Sequence, residues 1–125
     1  MEMENGGLIL RWSKLTDHAL EPVRARENAA GYDLSSAYDL MVPARGSAMM
    51  RTDLQVQMPR GFCGHIFSRF SALNNGITVG QDVVVNADFR DNLEVMLFNH
   101  SDQDFEVKRG DCIVQLVIGA ADAQI

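Results

Sequence analysis

Residues 48–58 carry a two-residue period with one mostly apolar face. Ala48, Met50, Thr52, Leu54, Val56 and Met58 alternate with Met49, Arg51, Asp53, Gln55 and Gln57. Successive side chains of an extended backbone point to opposite faces, so this stretch predicts a strand with one apolar face. Residues 92–99 alternate less strictly: Leu93, Val95 and Leu97 stand against Glu94, Met96 and Phe98. Only Glu94 is polar on the second face, which predicts a strand buried on both sides. Shorter strands are expected at 8–12, 63–67, 83–85, 105–107 and 113–118.

Turn residues punctuate these runs at short intervals. Pro43-Ala44-Arg45-Gly46, Pro59-Arg60-Gly61 and Lys108-Arg109-Gly110-Asp111 combine the fixed φ of Pro with the positive φ open to Gly. Asn75-Gly76 predicts a hairpin. Nowhere do apolar residues keep helical spacing for three turns, and residues 15–20 predict one short turn before Pro22. Many short strands with regular turns describe an all-β sandwich or barrel. No repeat or linker divides the chain, so residues 1–125 are expected to form a single domain.

At 125 residues the chain can bury a core without disulfides or a structural metal. Eleven Lys and Arg against 17 Asp and Glu leave a net charge of −6, which argues against a nonspecific nucleic-acid binder. No apolar run approaches the ~20 residues of a membrane span, and residues 1–7 lack a basic-then-apolar leader. A protein that is not secreted, in the cytoplasm or nucleus, is expected. Cys63 and Cys112 are far apart and read as small hydrophobes rather than a disulfide or zinc pair. His18, His65 and His100 share no ligand spacing.

Four segments carry the chemistry. The first is Ala29-Ala30-Gly31-Tyr32-Asp33-Leu34-Ser35-Ser36-Ala37. The second is Gly64-His65-Ile66-Phe67-Ser68-Arg69-Phe70-Ser71-Ala72-Leu73. The third is Val83-Val84-Val85-Asn86-Ala87-Asp88-Phe89-Arg90, followed by Leu97-Phe98-Asn99. The fourth is Gly110-Asp111-Cys112-Ile113-Val114-Gln115-Leu116. In order and spacing they resemble the motifs of the trimeric dUTPase family, over nearly the whole chain. The resemblance implies a jelly-roll, or distorted β-barrel, and a homotrimer with active sites at subunit borders. It also implies hydrolysis of dUTP to dUMP and pyrophosphate with Mg²⁺ on the triphosphate.

By the same resemblance Asp33 stands where the family holds its hydrated metal. Arg69 and Ser71 stand at phosphate positions, Gln115 keeps the substrate-binding Gln of the fourth motif, and Phe89 replaces a Tyr that packs on the sugar. Ser71 matches the family Ser only if Phe70 is an insertion; in an ungapped register Phe70 takes that place. Asn86 occupies the position of the catalytic Asp, whose carboxylate takes a proton from the attacking water. An amide has no useful proton affinity near neutral pH. Asp88 and Asp82 are nearby carboxylates that could substitute, but Asp88 already has a structural place in the family pattern. The Gly-rich arm that normally closes over the nucleotide is expected to be missing after residue 125.

Two functions follow as expectations. One is a catalytically impaired dUTPase-fold protein that binds partners and retains some nucleotide affinity. It would be similar to the shortened, dUTPase-like early-region-four proteins of adenoviruses, and so of viral origin. Those proteins end in a residue that docks into PDZ domains, and Ile125 ends this chain, without the usual Ser or Thr two places before it. The alternative is an active dUTP diphosphatase. A dCTP deaminase-like relative shares the fold, but the Leu-Phe-Asn and Gly-Asp-Cys-Ile-Val-Gln segments sit closer to dUTPases.

Overall fold

The computed structural model describes residues 2–5, 8–25, 31–80 and 84–120. Its strands are β1 (Glu2–Asn5), β2 (Leu8–Lys14), β3 (Val23–Arg24), β4 (Gly31–Ser35), β5 (Leu40–Val42), β6 (Ser47–Arg51), β7 (Leu54–Gln57) and β8 (Phe62–Ser68). One short helix, α1 (Phe70–Asn74), follows. The remaining strands are β9 (Ile77–Val79), β10 (Val84–Val85), β11 (Glu94–Asn99), β12 (Phe105–Val107) and β13 (Cys112–Ala120). Every described pairing is antiparallel. The largest sheet runs β10-β8-β13-β4-β3, and smaller sheets run β1-β2-β7, β6-β11-β9 and β12-β5. This is the all-β jelly-roll that the motifs imply.

The core lies where the inner faces of these sheets meet. Tyr32 and Leu34 of β4, Ile66 of β8 and Val114, Leu116 and Ile118 of β13 face it from the large sheet. Leu10, Trp12, Leu54, Val56, Met50, Val95, Leu97 and Ile77 close it from the smaller ones. Burying each Leu, Ile or Val completely contributes about 1.5–3 kcal/mol. Gly64 marks the tightest point. A Cβ there would stand 2.4 Å from Leu116 Cδ1 and 3.1 Å from Met58 Sδ. Leu116 is fully buried and has little room to swing away. Gly64→Ala is therefore expected to cost about 1–3 kcal/mol of stability, measured by urea unfolding.

The alternation over residues 48–58 identifies the buried face correctly, since Met50, Thr52, Leu54, Val56 and Met58 are all buried. It does not describe one strand. The backbone breaks at Asp53, whose φ is +53°, and β6 and β7 pair in different sheets. Strands that turn a sandwich corner change sheet in this way. The break also turns Asp53 inward, against the alternation, to 2% exposure.

Three further expectations are corrected. β11 is buried on one face only: Val95, Leu97 and Asn99 point inward, while Glu94 is exposed and Phe98 is 37% exposed. Asn75-Gly76 forms no hairpin. Gly76, at φ +78°, instead ends α1, and its N–H bonds to Leu73 O at 3.0 Å. In the turn after Pro43, the positive φ falls on Arg45 rather than Gly46. The turns at residues 59–62 and 108–111 place Gly61 and Gly110 at positive φ as expected. A turn also forms at residues 16–19, with Ala19 N–H donating to Thr16 O.

Candidate functional site

Three of the expected residues come together on the outer face of the large sheet. Antiparallel register sets Gln115 of β13 directly opposite Asp33 of β4 and Phe67 of β8. Directly opposed side chains lie about 4.5–5.5 Å apart at Cβ, so Gln115 and Asp33 are neighbours by topology. Gln115 Nε2 lies 3.4 Å from Asp33 Oδ1. Arg69 reaches the same oxygen from just beyond β8, with Nε at 3.4 Å. Its backbone is pinned by a hydrogen bond from Arg69 N–H to Ile113 O at 2.9 Å. Arg69 also caps α1, accepting from Ala72 and Leu73 N–H. The three side chains lean on one another at long contact distances, and the Asp33 side chain is 13% exposed against 30% for Arg69.

Ser68, Arg69, Phe70, Ser71, Asn74 and Gln115 line an open cleft of about 430 Å³. Ser71 therefore shares a cleft with Arg69 and Gln115, from the first turn of α1. Phe70 stands over the cleft at 77% exposure. The cleft can present a guanidinium, an amide and a hydroxyl to an anion. Asp33 fits a hydrated Mg²⁺ held mainly by substrate phosphates, since that ion takes one or two carboxylates and keeps several waters. Among the described residues no three His, Cys, Asp or Glu gather into a cage for a metal.

The fourth segment meets the first through its backbone. Ser36 N–H donates to Asp111 O, and Gly110 N–H to Ser36 O. The Asp111 carboxylate accepts from Lys108 N–H at 2.9 Å, which makes it a turn residue. Asn99, the last residue of Leu-Phe-Asn, is a buried clamp. Its Nδ2 donates to Val42 O and Gln103 O, and its Oδ1 accepts from Ser101.

Asn86 is elsewhere. β10 pairs Val84 with His65 and Val85 with Gly64, so the chain reaches Asn86 at the Cys63 end of β8. Arg69 follows the other end. From Cys63 to Ser68 is roughly 17 Å of extended chain. Asn86 is exposed and its carbonyl accepts from Phe89 N–H at 3.1 Å. Phe89 is half-buried against the core, and Asp88 is exposed on the same turn. One chain thus separates the expected sugar end of the site from its phosphate end. Asp82 and Ile125 lie outside the described residues.

The histidines have local partners: His18 lies against Tyr38, His65 beside Cys63 and Phe67, and His100 Nε2 is 2.9 Å from Thr78 Oγ1. Cys63 and Cys112 are not joined in a disulfide. No described helix is long and apolar enough to cross a membrane.

The residue that the sequence reading missed is Asp53. Its carboxylate accepts from Thr16 Oγ1 at 2.6 Å, from Asn92 Nδ2 at 2.7 Å and from the Tyr38 hydroxyl. Burial alone would raise its pKa, but the bonds from Thr16, Tyr38 and Asn92, with His18 nearby, hold it below the ordinary value. The same contact raises the pKa of Tyr38, through the hydrogen bond to Asp53 first and burial second. The only local signal was an Asp able to adopt positive φ.

Comparison with known proteins gives the same assignment throughout. A dUTPase family model matches residues 17–125. A deoxyuridine 5'-triphosphate nucleotidohydrolase of rice is 48% identical over 111 residues, covering 88% of this chain and 64% of the rice protein. The enzyme of the same name from fowl adenovirus is 47% identical, covering 87% of this chain and 61% of its own. The chain thus spans somewhat under two thirds of the length of these relatives. They come from a plant and a virus alike, so the match does not single out a viral source. Among solved structures, an Asp-to-Asn mutant of the dUTPase from phage phi11 of S. aureus superposes with a TM-score of 0.79 at 22% identity. That superposition covers 89% of this chain and 90% of the phage protein, whose structure describes the coordination of a structural Mg(II) ion. Shared fold, motif order and near-half identity lead to one conclusion: this chain belongs to the dUTPase family.

Proposed function

We propose that residues 1–125 act as one dUTPase domain that binds dUTP with Mg²⁺ and hydrolyses it to dUMP and pyrophosphate. The observation that carries this reading is the Asp33–Arg69–Gln115 cluster, formed on three separate strands or strand ends that the first, second and fourth motif segments contribute. Its support is the name borne by relatives at 47–48% identity. In this reading Arg69, Ser71 and Gln115 hold phosphate oxygens and offset the charge that grows on the leaving group. Asp33 would hold Mg²⁺ through water, and the ion would neutralise triphosphate charge. Phe89 packs beneath the deoxyribose while the Asn86 amide bonds its 3′-hydroxyl. The roughly 17 Å between these ends within one chain favours a site completed by a neighbouring copy, one copy's turn facing another's cleft, in the homotrimer that the family resemblance implies.

One residue favours a second reading, in which nucleotide is held but turned over slowly. Asn86 can donate and accept hydrogen bonds yet cannot take a proton from water. Pyrophosphate release from dUTP with Mg²⁺, measured beside equilibrium binding of dUMP, separates the two. Turnover near the enzymatic median of roughly 10 s⁻¹ supports hydrolysis as the function. Tight binding with turnover at least a hundredfold below that supports retention. Absence of both overturns the nucleotide reading.

A further inference from the structure

The turn that carries Asn86 and Phe89 is held mostly from outside itself. Within the turn, Phe89 N–H bonds to Asn86 O, and Arg90 Nη1 folds back onto Ala87 O at 2.9 Å and Phe89 O at 2.7 Å. Every other described bond from this turn and its exit goes to the corner between β6 and β7. Thr52 gives both its N–H and its hydroxyl to Leu93 O, at 3.1 and 2.8 Å. Leu93 N–H donates to Leu54 O at 2.9 Å, and Gln55 Nε2 donates to Arg90 O. Asp53 and Asn92 exchange a pair: Asn92 Nδ2 donates to Asp53 Oδ1 at 2.7 Å, and Asp53 N–H donates to Asn92 Oδ1 at 3.0 Å.

A reciprocal pair of this kind fixes both distance and rotation, as a single bond does not. The corner is itself anchored. Asp53 Oδ2 takes the Thr16 and Tyr38 hydroxyls, and Asp53 O takes Leu15 N–H at 2.8 Å. The position demands a short side chain that only accepts and tolerates φ +53°, which describes aspartate. Asn86 and Phe89 sit exposed or half-buried at the other end of this truss.

We propose that Asp53 is a positioning residue for the deoxynucleoside end of the site, acting through Asn92 to hold the turn that carries Asn86 and Phe89. The inference rests on the function proposed above and deepens it: Asp53 touches no substrate, but sets where the sugar-facing groups stand. A displacement of the order of 1 Å is enough to cost a site up to about a hundredfold. The phosphate cleft at Arg69 receives no bond from Asp53 or Asn92, so it is a built-in control.

The test uses the full chain and two probes with Mg²⁺, dUMP for the sugar end and inorganic pyrophosphate for the cleft, by titration calorimetry. Asn92→Ala and Asp53→Asn are expected to weaken dUMP about tenfold or more while pyrophosphate affinity stays within about twofold. Amide exchange at Phe89 accelerates in both variants. Thr16→Val loosens the corner on the side away from the turn. It is expected to lower the melting temperature while leaving both affinities within about twofold. If Asp53→Asn fails to fold, Asn92→Ala decides alone, since its substitution leaves the Thr16 and Tyr38 bonds to Asp53 in place. Unchanged dUMP affinity in the folded variants, or parallel loss for both probes, overturns the proposal. So does a selective dUMP loss of the same size in Thr16→Val, because any loosening would then suffice. Binding of neither probe by the unsubstituted protein overturns the functional reading itself, and is recognised by appearing before any substitution.

Discussion

In the reading where nucleotide is held but turned over slowly, replacing Asn86 with Asp is expected to raise the rate of dUTP hydrolysis about 10²–10⁴-fold, the usual contribution of a positioned general base. In barrier terms that is on the order of 3–5 kcal/mol. The residue follows β10 and opens an exposed turn, so a carboxylate there meets solvent and ionises without a burial penalty. Asp and Asn have the same size, and the turn bond from Phe89 N–H uses the backbone carbonyl, which the substitution leaves alone. Stability should therefore change by less than about 0.5 kcal/mol, as for other exposed positions. The measurement is pyrophosphate release under saturating dUTP and Mg²⁺, with the rate following the deprotonated carboxylate as pH rises. A gain below about tenfold would mean that the proton goes elsewhere, with Asp88 on the same turn the first residue to substitute.

The second large effect is on stability. Asp53→Ala is expected to cost about 2–4 kcal/mol, because the Thr16 hydroxyl and the Asn92 amide lose a charged acceptor and a non-Gly residue without a polar side chain is left at positive φ. A chain of this size would lose roughly 10 °C or more of melting temperature. The effect depends on pH with a defined sign. The folded pKa of Asp53 lies below its ordinary value, so the native state favours the ionised form. Its stabilisation is complete above the unfolded value of about 4, and fades as pH falls through the lower folded pKa. The gap in stability between the parent and Asp53→Ala should accordingly narrow as pH falls below the unfolded carboxylate value of about 4, followed by urea unfolding at decreasing pH. A gap that stayed constant would show that hydrogen-bond geometry, not charge, sets the contribution.

Most of the fold was legible because alternation and turn chemistry are local. The buried face of residues 48–58, the strands at 63–67, 105–107 and 113–118, and the turns at Gly61 and Gly110 follow from side-chain period and backbone allowance alone. The failures share a cause. Asn75-Gly76 suits several turn geometries, and the preceding α1 decided in favour of a helix end. Phe98 and Met96 look like core in sequence, yet Phe98 is exposed and Met96 only partly buried on their face of β11. In the fully extended register Asp53 should point outward, and a single αL residue reversed it.

The site divides along the same line. Residue types and their order within each segment determined the family, singled out Arg69, Ser71 and Gln115 as the expected substrate-binding set, and put an amide rather than a carboxylate at position 86. Those are chemical identities, carried by each residue wherever it lies. Tertiary structure alone decided that Asp33, Arg69 and Gln115 meet while Asn86 stands at the far end of β8. It also decided that a buried Asp53 bonds Asn92 at the exit of the turn that carries Asn86. Strand pairing joins residues distant in sequence, and its register depends on the packing of a whole core rather than on any local pattern.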